Sequence, residues 1–164
     1  MIPRLLPECG TPNKSPDGMA VNLRGVVLGI RAVLPALRAS GDGAILVTSS
    51  VAAILGDPYN SAYTAAKAGV IGIVKSAAFE IGPENIRINA ICPGPTLSAG
   101  ADQPEFRDTP AYERYRQLTA LRRWADPDEL AAVMEFLISP AASFVTGAAI
   151  AVDGGFSAGH APLA

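Results

Sequence analysis

An α/β fold, with about three parallel strands and helices packed on them, is what this sequence predicts, and three observations carry that reading. Short aliphatic runs alternate with segments of helical apolar periodicity. Sixteen Gly and 14 Pro in 164 residues punctuate the chain too often for a continuous helical bundle. The core is aliphatic, since hydrophobic residues make up 49% of the chain and aromatics only 6%. This length is one domain's worth, enough to bury roughly 70% of the surface that the unfolded chain exposes, so a second substrate domain is not expected.

Residues 1–18 are proline-rich without periodicity and predict an extended arm; 19–164 form the folded domain. Over 19–38 apolar residues recur at helical intervals, Val26, Ile30, Val33 and Leu37 among them, with a bend expected at Pro35. Gly41-Asp42-Gly43 turns the chain into 44–48, an aliphatic run of the kind found inside parallel sheets. Residues 61–81 are Ala-rich and helix-compatible, and Gly82-Pro83 stops them. A second strand, 86–92, ends at Pro93-Gly94-Pro95, completing a βαβ unit whose crossover is expected to be right-handed. The polar, proline-bearing stretch 95–110 and a short helix over 112–118 read as a functional lid. Asp126, Pro127 and Glu129 begin a helix running to about 138, and a third strand, 147–152, leads into Asp153-Gly154-Gly155.

A formal charge of -2 gives no electrostatic attraction to a phosphate backbone, so nucleic acid is not an expected partner. Cys9 and Cys92 lie far apart, and the single His160 cannot complete a zinc set with them, so no metal is expected. Two unpaired thiols suit a reducing compartment. No apolar run is expected to approach the roughly 20 residues that cross a bilayer, and the opening residues lack a continuous signal-peptide core. The expectation is a cytoplasmic protein without a membrane partner.

Functional groups of a parallel sheet gather beyond the carboxyl ends of its strands. Thr48-Ser49-Ser50, Pro93-Gly94 and Asp153-Gly154 all occupy such ends and mark one rim. Tyr63 and Lys67, four residues apart, share a helix face. A phenol with the usual pKa near 10 transfers protons poorly at neutral pH, but a neighbouring cation favours its ionised form. The pair therefore reads as an acid/base unit, although the spacing alone equally suits a solvated helix face. Ser50, thirteen residues before Tyr63, places a hydroxyl where it could hold a carbonyl or alcohol oxygen.

With those residues in place, GAILVTSSVAAILGDPYNSAYTAAKAGVIGIVKSAAFEIGPENIRINAICPGP resembles the core of the short-chain dehydrogenase/reductases. VNLRGVVLG upstream and FLISPAASFVTGAAIAVDGG downstream extend the likeness over about 19–157. The resemblance implies a partial Rossmann-type, doubly wound parallel sheet. It also implies an oxidoreductase that moves a hydride between NAD or NADP and a small-molecule carbonyl or secondary alcohol. By the same likeness Tyr63 is the catalytic acid/base, and Lys67 tunes it and holds the nicotinamide ribose. Ser50 polarises the substrate oxygen, with Ser49 as the neighbouring alternative. Asn22 supports a water-linked proton path behind the lysine. Pro93 and Gly94, with Thr96 and Ser98 after them, would lie beside the cofactor. Asn89 and Asp153 read as structural, a loop anchor and a turn, while Phe106, Tyr112 and Tyr115 line the pocket or merely pack. Pairing of copies through helices 19–39 and 60–81, a homo-oligomer, is also implied.

The family's Thr-Gly-x-x-x-Gly-x-Gly turn, whose amides bind pyrophosphate, has no counterpart in this sequence. The family's first four strands and the residue that would separate NAD from NADP are missing likewise. The expectation is a truncated domain that binds NADH or NADPH weakly or not at all on its own, and whose strand 44–48 has an uncovered edge prone to aggregation. The alternative is a catalytically inactive fragment acting only through subunit association.

Overall fold

The computed structural model describes residues 18–58, 60–98 and 102–159. The predicted arm up to residue 17, Cys9 and His160 lie outside them. A π-helical turn, Ala20–Arg24, opens into α1 (Gly25–Ser40). Then follow β1 (Gly43–Thr48), α2 (Ala52–Leu55), α3 (Ser61–Ile81) and β2 (Ile86–Pro93). After β2 come α4 (Pro104–Arg107), α5 (Pro110–Leu118), α6 (Pro127–Ile138) and β3 (Ala149–Val152). The three strands form one parallel sheet in the order β1-β2-β3, so the predicted α/β class holds. The turns α2 and α4, four residues each, were not expected, because such short pieces carry no readable period.

β2 is the centre, with Ile86, Ile88, Ala90, Ile91 and Cys92 all buried. Alternate residues point to opposite faces. Ile86, Ile88 and Ala90 pack with Val74, Ala77, Ala78 and Ile81 of α3 and Ile30 of α1, and Val26, Leu34 and Leu37 close the edge of this core. Gly69 on α3 permits the approach of the π turn: a Cβ there would lie 2.9 Å from a Leu23 methyl. β1 pairs with β2 alone among the described strands, and its residues Ala44–Val47 are only half-buried, as the reading of an uncovered edge requires.

The helical segment Ala20–Ser40 corrects one expectation. It runs for 21 residues and contains an 18-residue stretch of mean hydropathy 1.5, long and apolar enough to cross a membrane by length and composition. Arg24, Arg31 and Arg38 interrupt the run in sequence order, but their spacing of seven gathers them on one stripe of the helix. Val26, Ile30, Leu34 and Leu37 turn part of the helix surface into the core.

On the opposite face of β2, Arg87 donates to the carbonyls of Leu137 (2.8 Å), Ser139 (3.0 Å) and Val145 (3.3 Å). It thereby satisfies groups that the end of α6 leaves unpaired. Arg87→Met is expected to cost about 2–3 kcal/mol, the range for hydrogen bonds from a charged donor, read as a lower urea midpoint. Its neighbour Asn89, 1% exposed, donates to Val145 O (2.8 Å) and accepts from Ala148 N (3.1 Å), the loop anchor that the sequence suggested.

Candidate active site

Pairing continues beyond the end of β1. The Ser49 amide donates to Ile91 O (2.8 Å) and the Val51 amide to Pro93 O (3.1 Å), which holds residues 48–51 level with the end of β2. Ser49 is 2% exposed and its hydroxyl donates to the backbone carbonyl of Lys67 at 2.8 Å. The Lys67 ammonium donates in return to Thr48 O at 2.9 Å. These two bonds fasten the middle of α3 to the strand end. Burial pushes Lys67 below its usual pKa, and its Nζ stands 5.6 Å from the centre of the Tyr63 ring, within cation–π range.

The structure separates the two candidate serines. Ser49 is committed to α3, whereas Ser50 Oγ accepts a bond from Ala52 N at 3.1 Å and keeps its proton for donation into the space before Tyr63. At the end of β2, a Cβ on Gly94 would lie 2.7 Å from Asp153 Cα, so only glycine allows this turn to approach the end of β3. Asp153 accepts from Gly155 N (2.9 Å), Ser157 N (2.9 Å) and Ser157 Oγ (2.5 Å), confirming its reading as a turn residue. Burial pushes its carboxyl up, but the hydrogen bonds outweigh burial and hold it below the usual value. Thr96 donates its hydroxyl to Gly94 O at 3.0 Å.

The chain after β2 returns to this rim. Leu97 N donates to Ala125 O (2.9 Å) and Ala125 N to Pro95 O (2.9 Å), which brings Trp124 against the site. Trp124 stacks on Tyr112 (4.9 Å between centroids, 8° between planes) and meets Phe106 and Tyr115 edge-on at 5.6 and 5.9 Å. Its indole N–H donates to Tyr112 O at 3.1 Å.

An open cleft of about 1020 Å³ results. Ser50, Tyr63, Lys67, Pro93, Gly94, Thr96 and Ser98 all line it, so these predicted residues come together. Of the three lid aromatics only Tyr115 faces the cleft; Phe106 and Tyr112 pack around Trp124. Asn22 does not line it: the side-chain amide turns back to donate to Gly18 O at 2.9 Å. Sequence reasoning missed Arg114, Trp124, Leu130, Met134 and Phe156 on the far wall. The one signal available was Trp124, the single tryptophan of the chain, placed just before a strong helix cap.

A helix-covered parallel sheet with chemical groups collected at its strand ends defines an α/β protein of Rossmann type. A family model described as "Enoyl-(Acyl carrier protein) reductase" matches residues 11–157. Levodione reductase of Leifsonia aquatica is 40% identical over 147 residues, covering 87% of this chain and 55% of that protein. A 4-hydroxyisoleucine dehydrogenase mutant solved with NADH and succinate superposes with a TM-score of 0.80 at 32% identity, over 87% of this chain and 58% of the other. An oxidoreductase from Burkholderia thailandensis, titled as a short chain dehydrogenase/reductase, gives 0.80 at 33% identity, over 89% and 59%. The chain belongs to the short-chain dehydrogenase/reductase family of oxidoreductases. It spans a little over half the length of the curated relatives it matches.

Proposed function

We propose that this chain carries the catalytic side of an oxidoreductase that interconverts a small carbonyl compound and its secondary alcohol using NAD or NADP. The observation that supports this best is the convergence of Ser50, Tyr63 and Lys67 on one cleft. The same cleft suits the nicotinamide end of a dinucleotide. The Lys67 ammonium and the Ser98 hydroxyl offer donors to a ribose, the Thr96 hydroxyl oxygen offers an acceptor, and the Pro93–Gly94 backbone offers a flat approach. The bound cofactor supplies or accepts the hydride.

The residues of the chain do the rest. The Ser50 hydroxyl donates to the substrate oxygen and orients the carbonyl. Tyr63 delivers its proton to that oxygen during reduction and removes it during oxidation. The charge on Lys67 offsets the negative charge left on the Tyr63 oxygen. Asn22, which does not line the cleft, would act at a distance, through water behind Lys67. Outward-facing Val21, Leu28 and Phe79 support pairing of copies through helices 19–39 and 60–81. The buried free thiol of Cys92 suits a cytoplasmic setting.

The test is the rate of NADH and NADPH oxidation by the chain with a panel of small ketones at millimolar cofactor. Ser50→Ala is expected to lower kcat about 10²–10³-fold, the range for losing one positioned donor, while stability falls only by the loss of the bond from Ala52 N, about 1 kcal/mol. Ser49→Ala should instead lower stability by about 1–2 kcal/mol, through the freed Lys67 carbonyl. A fully active Ser50→Ala variant would remove the serine from the mechanism.

A further inference from the structure

The far wall of the cleft is apolar, formed by Tyr115, Leu118, Trp124, Leu130, Met134 and Phe156, with one cation among them, Arg114 on α5. The neighbouring arginines are all engaged. Arg107 pairs with Asp102, Arg116 with Glu113 and Arg123 with Glu129, while Arg122 donates to Gln117 O. Arg114 has no ion-pair or hydrogen-bond partner among the described residues. Lys67, the other cation of the cleft, is held by Thr48 O on the opposite side. Asp57, the acid of the cleft, accepts from the Asn60 amide at 3.0 Å. Burial and then Asp57 push the Tyr115 phenol up while Arg114 pulls it down, so both charges reach the rim at Tyr115.

We infer that Arg114 is a specificity-determining residue that binds an anionic group, a carboxylate in the first instance, carried on the apolar body of the carbonyl substrate. A guanidinium presents paired donors matched to a carboxylate, and beside an aromatic wall the bond is less screened than in open water. An apolar keto acid would then span the cleft, with its carbonyl at Ser50 and Tyr63, its hydrocarbon against Trp124 and Met134, and its anion at Arg114. This inference rests on the functional reading above, but it concerns binding and can be tested apart from turnover.

Trp124, the single tryptophan, lines the cleft and reports on its occupancy by fluorescence. The probes are 4-oxocyclohexanecarboxylate and its methyl ester, which carry the same ketone and so share the same weak absorption where tryptophan is excited. The wild-type chain is expected to bind the acid at least about tenfold tighter than the ester, a difference of about 1.4 kcal/mol. Arg114→Gln should bring the two within about twofold, and Arg114→Lys should keep part of the preference. Arg114 is exposed, so these variants should retain the wild-type circular dichroism. Equal affinities in the wild type, a preference that survives in Arg114→Gln, or no response to either probe would each overturn the assignment. Tyr63→Phe separates the two readings, since it should preserve the acid preference. A preference lost in Arg114→Gln without any wild-type turnover supports the anion site and sinks the hydride-transfer reading. Turnover of acid and ester with equal kcat/KM does the reverse.

Discussion

Tyr63→Phe is expected to lower kcat by about 10²–10⁴-fold, the usual contribution of a positioned proton donor. The change keeps the ring beside Lys67 and removes only the hydroxyl, so packing on α3 and the bond from Lys67 to Thr48 O should survive. Equal circular dichroism and equal thermal midpoints for the two proteins would exclude a folding defect. Steady-state rates over pH 6–9 would then isolate the chemistry. Retained turnover in the phenylalanine variant would take Tyr63 out of its role, and with it the meaning of its spacing to Ser50.

Ile88→Ala should have the largest effect on stability. The side chain is fully buried on the central strand and contributes to the core shared with α1 and α3. Removing three carbons from such a site costs about 2–5 kcal/mol, because little around it can relax into the gap. Against a total of roughly 5–15 kcal/mol for an ordinary domain, that is a large fraction. A fall of roughly 5–15 °C in Tm follows for a chain of this length. Urea denaturation followed at 222 nm measures the loss directly. A change under about 1 kcal/mol would mean that the core refills the space.

The parts of the fold set by local chemistry were readable from the residues. Asp126 accepts from Asp128 N at 3.0 Å and Glu129 accepts from Asp126 N at 2.9 Å, the reciprocal cap that the spacing announces. The three strands follow from aliphatic runs bounded by Gly and Pro, and their parallel order follows from the helix between the first two. Ser50, Tyr63 and Lys67 were legible for the same reason: one short connection and one helix relate them. The far wall was not. Trp124 and Met134 reach the cleft only because 95–97 and 125 pair across a long excursion, a contact that no local pattern encodes. The contact that Asn22 makes was hidden for a related reason. Its place on a helix was clear, but the direction of its amide depends on a π turn, which periodicity does not reveal. The helix 20–40 escaped notice as a long apolar segment because evenly spaced arginines break a linear run without breaking a helical surface.

The register of β1 against β2, which sets Thr48 opposite Ile91, works as the ruler of the reactive side of the cleft. Each residue of slippage would carry the strand end about 3.3 Å along the ladder and reverse the facing of every side chain on it. Part of the far wall, by contrast, comes from α5 and the loop after it, which can lengthen, shorten or change residue without touching that measure. Changes within 102–124 can therefore reshape that side of the cleft while Ser50, Tyr63 and Lys67 keep their places.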